Sequence, residues 1–541
     1  MPKVGPRPDV VADGVEYNHH TVYTNEVRFE NIRASANITR VKVDDTHTQS
    51  VVKGAILEGV PITVTSNTAG ATMHAMKKRC DFSTEENRNE EFVAGHKLLM
   101  GKVPAYPQFD LSSELLTEYL TKCAPGKAAR LLEALESGEL SYDGSTKHVF
   151  AKAETLLKEH QSQPRVVYQG TDMYNAVTGA VVYELTRRMH AAFSLSNPLN
   201  TGNKVIFACG LGGEEIGELI QNARGEPIES DMKNNDATQP AAWRKYEAMF
   251  YKKLGAPDWF VREFAKNTSV RVWTRYGVEA QVRGQRWSGE STTTTGNSYV
   301  SMCQVLRALE NVSITESTNI HGGDDYLGIV VDPLGQATDA IERTVAQGPM
   351  TAKVFKPKSK HHATFYRKRY VESRIGRRPV PQFGRVLSKL NVRANLNVEV
   401  NDKDYMAGKY ASAAYEHRHV PVIRDILLNT SKQLSSKPYF DNKEARNVAA
   451  KLGKGDVSDL VSDVPVHDVD IMSMFCEDVY AVNFNDIVDI YTYIAQSCVD
   501  YCDGWTYVDK RGVTRNKRGA TSYVPPKLGG EVISQLVAAD V

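Results

Sequence analysis

The sequence has few cysteines, no long apolar run and almost no net charge, and each shortage narrows what the chain can be. Seven cysteines scattered over 541 residues are too sparse for a disulfide framework and suit a reducing compartment. Cys498 and Cys502 stand four apart with no neighbouring His or second Cys pair, so a zinc site is not expected. The longest mostly apolar stretches, Ala176–Leu185 and Val205–Leu211, fall far below the roughly 20 residues of a membrane-spanning helix. The opening MPKVGPRPDVVADG has no apolar signal core, so export is not expected. Absence of G-x4-G-K-[ST], G-x-S-x-G and H-E-x-x-H leaves a fused helicase or protease without support. Lys and Arg (66) balance Asp and Glu (65), for a net charge of +1. That balance argues against a nucleic-acid partner only if the charge is spread evenly.

What is present is ordinary for a globular chain: 41% hydrophobic and 24% charged residues, with no repeat at solenoid periods. The length suits several domains or one multi-lobed enzyme. Alternation over residues 20–65 (Thr21–Thr24, Ile38–Val43) predicts short strands. Leu111–Leu140 predicts helix on both sides of a break at Pro125-Gly126. Helix is expected over 240–268, with Trp243, Tyr246, Met249 and Phe250 on one face, and over Asn297–Leu309, with Met302, Leu306 and Leu309 as its buried stripe. Next, Ile314–Ile320 and Tyr326–Val331 flank a turn at His321–Asp325, a hairpin with two carboxylates at its tip. Lys353–Arg378 is strongly basic, opposed only by Glu372, and interleaved with Phe355, Phe365, Tyr366 and Tyr370 as in a groove that tracks a nucleic-acid backbone. A second basic cluster (Lys510, Arg511, Arg515, Lys517, Arg518) lies near the C-terminus. Beyond Pro379 and Pro381 the chain reads as mostly helical, with a polar break at Ser431–Lys437. The pattern is α+β, with a carboxylate-bearing sheet in the middle.

Three groups follow in order along the chain. Asp231 and Asp236 stand five apart; Ser288-Gly289-x3-Thr293-x3-Asn297 begins a helix; Gly323-Asp324-Asp325 tips the hairpin. Singly, each has an ordinary explanation in helix caps, a solvated loop or turn chemistry. The S-G-x3-T-x3-N pattern arises by chance in about one chain in a hundred of this length. Their joint occurrence in this order is far rarer, so a shared chemical role is the better account. His321 beside the tip is a poor candidate ligand, because Mg²⁺ prefers oxygen.

On these residues the chain resembles the RNA-dependent RNA polymerases of positive-strand RNA viruses. Asp231–Asp236 resembles motif A, Ser288–Asn297 motif B, and Gly323-Asp324-Asp325 motif C. Lys152-Ala-Glu154, Lys158 and Pro164-Arg165-Val166 resemble motif F; Lys353–Lys358 and Phe365–Glu372 are similar to motifs D and E. The likeness covers about 150–390, and the stretch from Tyr370 to Leu390 leans towards noda- or tombus-like polymerases. The resemblance implies template-directed RNA synthesis from NTPs, for viral genome replication and transcription. Two Mg²⁺, with Mn²⁺ as a substitute, would be shared by Asp231 and Asp324, with Asp325 supporting. Asp236, Thr293 and Asn297 would read the ribose, helped by Ser288 and Gly289 in the loop. Lys152, Lys158 and Arg165 would line the nucleotide entry, with Arg165 on the triphosphate. Lys356 would protonate pyrophosphate, with Lys353 and Lys358 as rivals.

The implied architecture is a right-hand polymerase with an antiparallel palm sheet backed by helices. Its expected divisions are fingers with an N-terminal extension (1–225), palm (226–261), a fingers insertion (262–286), palm (287–384) and thumb (385–541). Template and product RNA, NTPs and other replication proteins are the implied partners. The implied setting is the host cytoplasm, in a membrane-associated complex attached through another segment or protein. A reverse transcriptase is the nearest rival activity, and would carry a bulky residue at Asp236. A catalytically silent RNA-binding scaffold with the same fold is the rival from another class, and would lack a metal carboxylate; Asp231, Asp324 and Asp325 are all present.

Overall fold

The structure is a computed structural model that describes residues 15–18, 29–36, 53–57, 62–65, 69–82, 89–138, 140–152, 155–156, 165–393, 400–440, 465–504, 506–508, 514–516, 520–523 and 529–540. The quoted alternating stretches Thr21–Thr24 and Ile38–Val43, Lys158, and most of the 510–518 cluster lie outside the described residues.

A five-stranded central sheet organises the middle of the chain. Its strands are β1 (Asn203–Phe207), β2 (Glu226–Lys233), β3 (Ser317–Gly322), β4 (Asp325–Val330) and β5 (Thr351–Phe355), in the order β5-β2-β4-β3-β1. All pairings are antiparallel except β3 with β1, which is parallel. The expected division at residue 225 therefore cuts through one sheet. The Val205-Ile206-Phe207 run before it is apolar on consecutive residues, as a strand covered on both faces must be, and pairs with the hairpin.

Period-two alternation sorts these strands between two cores. Val205, Phe207, Ile228, Met232, Tyr326 and Val330 pack with helices α1 (Asp172–Ala192), α2 (Ala241–Lys253), α3 (Thr293–Asn311) and α4 (Ala337–Ala346). Ile206, Ile320, Leu327 and Ile329 face the other way, onto Ile216 and Ile220 of the helix Gly213–Asn222 and onto Phe365 and Tyr370. Each such side chain contributes about 1.5–3 kcal/mol by leaving water. Asp231 sits out of phase with Ile228 and Met232, so its side chain is on the face away from α2 and α3. Asp325 shares that face, because it is in phase with Leu327 and Ile329.

A second five-stranded sheet runs in the order Arg33–Ala36, Val278–Arg283, Ser269–Trp273, Thr146–Ala151, Val166–Gln169. Its Val149, Val270, Val272 and Val282 pack with Met73 and Met76 of the helix Ala69–Cys80. A three-stranded antiparallel unit (Thr364–Phe365, Lys368–Val371, Arg378–Pro381) follows the central sheet. Beyond it, helices from Phe383–Leu390 to Gly529–Asp540 share a separate core.

Two helix expectations change in detail. The helix over 240–268 is two, Ala241–Lys253 and Asp258–Lys266, broken at Gly255-Ala256-Pro257, where Gly255 has φ 84°. Met249, expected on the buried face, is 47% exposed, while Glu247 and Tyr251 are buried instead. A buried ion pair recruits that face, as described below. The helix Ile423–Leu434 also runs through the start of the expected polar break.

Candidate active site

Strand register brings the separated carboxylates together. Tyr326 pairs with Ser230, so one step further Asp325 stands across from Asp231 on the adjacent strand. On the other side of β2, Lys353 is directly opposite Asp231. Gly323 and Asp324 form the two-residue turn between β3 and β4; Gly323 has φ 70°, as the first central position of a type II′ hairpin turn requires. Ser298 of α3 accepts from the Gly323 amide at 2.8 Å and ties this turn to the helix.

Asp231, Asp324 and Asp325 all reach solvent. Protein nonetheless crowds the hairpin-tip pair, as on the floor of a cleft. Burial raises the Asp324 carboxyl, the charges of Asp236 and Asp231 add to that, and Arg165 opposes it. Burial, then the charge of Asp324, push Asp325 up to about 6 against the pull of Arg367. Hard carboxylate oxygens held together against burial and mutual repulsion fit a divalent cation. Among the described residues no three His, Cys, Asp or Glu close into a cage. Mg²⁺ needs none, since one or two carboxylates plus substrate phosphates commonly hold it.

At one end of this floor Asn297 Nδ2 donates to Asp236 Oδ1 at 2.7 Å, so two of the expected ribose readers are in contact. The Thr293 hydroxyl serves the loop instead, accepting from the Gly289 amide at 3.1 Å and donating to the Glu290 carbonyl at 2.9 Å. Ser288 offers its carbonyl to the Tyr168 amide at 2.7 Å. Gly289 has φ 107°, and a Cβ there would lie 2.8 Å from the Tyr168 carbonyl, so only glycine fits this turn. Lys152 and Arg165 are joined by a backbone hydrogen bond of 2.8 Å at the end of the second sheet, and the charge of Arg165 reaches Asp324.

Lys356 lies one residue past β5, outside the sheet register. Lys353 is the lysine that the register sets beside Asp231, while Lys358 donates to Asp478 at 2.8 Å. Tyr366 and Arg367 form a tight turn with φ 51° and 59°, unusual for residues other than glycine, and such strain tends to persist where function holds it. Gly322 makes room for this turn: a Cβ there would meet the Tyr366 hydroxyl at 1.9 Å. His321 is a core residue, its Nδ1 paired with Ser301 Oγ at 2.9 Å.

Two buried charge clusters flank the site. Glu290 lies 2.7 Å from the Lys147 ammonium and 3.2 Å from Arg244, all with side chains at most 6% exposed. Lys147 also sits 4.2 Å from the centroid of the Tyr174 ring. Burial opposes the Glu290 charge, but Lys147 and Arg244 outweigh it and hold the carboxyl near 2. Arg286 pairs with Glu247 at 2.7 Å in the same way. Motif spacing carries no signal for Ser298, Lys147, Arg244, Glu247 or Arg286. A Lys, Arg or Glu falling in phase with apolar helix or strand positions was the one available cue.

A family model for RNA dependent RNA polymerase matches residues 116–437, which take in every site residue above. The chain belongs to that family, one of positive-strand RNA viruses. It is thus an RNA-directed RNA polymerase, a nucleotidyltransferase that binds template RNA and NTPs. Polymerases of this family generally use divalent metal ions. No curated protein matches the chain. Among the described residues, no helix of the polymerase is long and apolar enough to cross a membrane.

Proposed function

We propose that this polymerase works as a right hand whose palm is the central sheet. The second five-stranded sheet would be the fingers, and the helices from residue 385 onwards the thumb. The observation that carries the reading is the convergence of Asp231 with the Gly323-Asp324-Asp325 turn on adjacent strands, beside the Asp236–Asn297 contact. Two Mg²⁺ held by Asp231 and Asp324, or Mn²⁺ in their place, would supply the charge that activates the 3′-hydroxyl and steadies pyrophosphate. Asp325 supports these carboxylates, and Arg367 moderates its charge. Asp236 and Asn297 address the 2′-hydroxyl of the incoming NTP, which favours RNA over DNA synthesis. Arg165, with Lys152 and Lys158, receives the triphosphate. Lys356 or Lys353 returns a proton to the leaving pyrophosphate; the Asp231 register favours Lys353. Kinship also supports work in a membrane-associated complex of the host cytoplasm, attached through another segment or protein.

Asp324→Asn tests the reading. Template-directed incorporation should fall by about a thousandfold, the scale of several kcal/mol of lost metal-ion stabilisation, while RNA binding and melting temperature hold. Equal synthesis by both proteins would overturn it, and background synthesis by both would favour the silent scaffold.

A further inference from the structure

An asparagine amide has a donor end and an acceptor end of nearly the same shape, so its neighbours decide which way it points. At Asn297 a one-way relay makes that decision. The Asp236 carboxylate only accepts, and Asn297 turns its amino group to it at 2.7 Å. The Asn297 oxygen then needs a donor, and Gln239 Nε2 supplies one at 2.8 Å. Gln239 could itself turn over, but its Oε1 accepts from Arg286 Nε at 3.0 Å and Nη2 at 2.8 Å, and a guanidinium only donates.

Arg286 is anchored in turn. It donates to both Glu247 oxygens, at 2.8 and 2.7 Å, and Tyr251 donates to Glu247 at 2.7 Å. Its backbone amide donates to the Asp236 carbonyl at 2.8 Å, closing the circuit on the residue where it ends. A Cβ at position 296 would lie 2.1 Å from Arg286 Nη1, so Gly296, just before Asn297, lets the guanidinium pass against α3. Gln239, Asn297, Arg286 and Glu247 are each at most 5% exposed, so water does not compete for the bonds among these four.

We propose that Gln239 is a specificity-determining positioning residue: by fixing the direction of the Asn297 amide, it sets the preference for ribose over deoxyribose. This rests on the reading of Asp236 and Asn297 as the sugar-contacting pair. A site built to hydrogen-bond a substrate hydroxyl rejects the analogue lacking it, provided its polar groups keep their places. A reversed Asn297 would set its oxygen against the Asp236 carboxylate and break that arrangement.

The experiment measures kcat/KM for ATP and dATP on one RNA primer–template with the full chain. Gln239→Glu keeps a partner for Arg286 but replaces the donor to Asn297 by an acceptor. Gln239→Leu removes both functions. The ATP:dATP ratio should fall about tenfold in Gln239→Glu, the scale of one buried hydrogen bond, mainly through a higher KM for ATP. Gln239→Leu should move it the same way, and melting temperature is recorded for both. Equal losses for the two sugars, or an unchanged ratio, would give Gln239 a packing role and overturn the proposal. Asn297→Ala and Asp236→Ala are run alongside. If they leave the ratio unchanged, the sugar-pair reading fails; if they lower it while the Gln239 variants do not, the relay alone fails.

Discussion

Single buried groups carry much of this molecule's vulnerability. Lys147 and Glu290 are both almost wholly enclosed, so Lys147→Met leaves a buried carboxylate with Arg244 as its remaining cation. Urea denaturation should show a loss of about 3–5 kcal/mol, and adding Glu290→Gln should cost less than the sum of the separate changes. Histidines make a second prediction. Burial pushes His321 down to about 3 and His417 to about 4, so both stay neutral in the fold while the unfolded chain protonates them near 6.5. Protons therefore bind the unfolded state more tightly, and stability falls as pH drops from about 6.5 towards 4. Each imidazole costs the fold about 1.4 kcal/mol per pH unit across that window. Thermal melts from pH 7.5 to 5 should show the decline, and His417→Gln should flatten it.

Close contact between elements sets the next constraint. Gly95, on the helix Glu90–Lys102, lies against α3 so closely that a Cβ would sit 2.0 Å from the Cys303 carbonyl oxygen. Gly95→Ala must push that helix off α3, at a cost of about 1–3 kcal/mol in chemical denaturation. Because α3 also presents Asn297 and Ser298, RNA synthesis should fall with it. The elements themselves were largely legible in the sequence. Tyr326–Val331 announced its strand and His321–Asp325 contained its turn, because these depend on local period and turn chemistry, whereas α3, expected to bury one stripe of Met302, Leu306 and Leu309, is buried on nearly every face. The two-helix break at Gly255–Pro257 and the strand at Asn203–Phe207 were less legible. A short apolar run reads alike in helix and strand until its neighbours are known.

Over the whole molecule, the balance of 66 basic and 65 acidic residues is redistributed by folding. The basic run from 353 to 378 looked like a groove for RNA, yet much of it is engaged in ion pairs. Lys358 meets Asp478 at 2.8 Å, Lys368 meets Glu416 at 2.5 Å, Arg369 meets Asp540 at 3.4 Å and Arg374 meets Asp468 at 2.9 Å. The more buried Lys368 and Arg369 pairs tie the three-stranded unit to the C-terminal helices, whereas the Lys358 and Arg374 pairs are exposed and hold only weakly. RNA affinity should therefore depend on fewer cations than the sequence suggests. In binding titrations over a salt series, Arg374→Ala should leave the slope of log K against log salt unchanged, whereas Lys353→Ala should reduce it by about one. The sequence alone was enough to place the chain among RNA polymerases, since Asp231–Asp236, Ser288–Asn297 and Gly323-Asp324-Asp325 and their order along the chain are written in residue types and spacing. Only the tertiary structure decided which groups hold those residues in place. Asp231 stands across from Asp325 through a register between strands almost a hundred residues apart, and the Asn297 amide takes its direction from Gln239 and Arg286. Buried polar groups are oriented by whatever packing brings against them, and no local pattern encodes that.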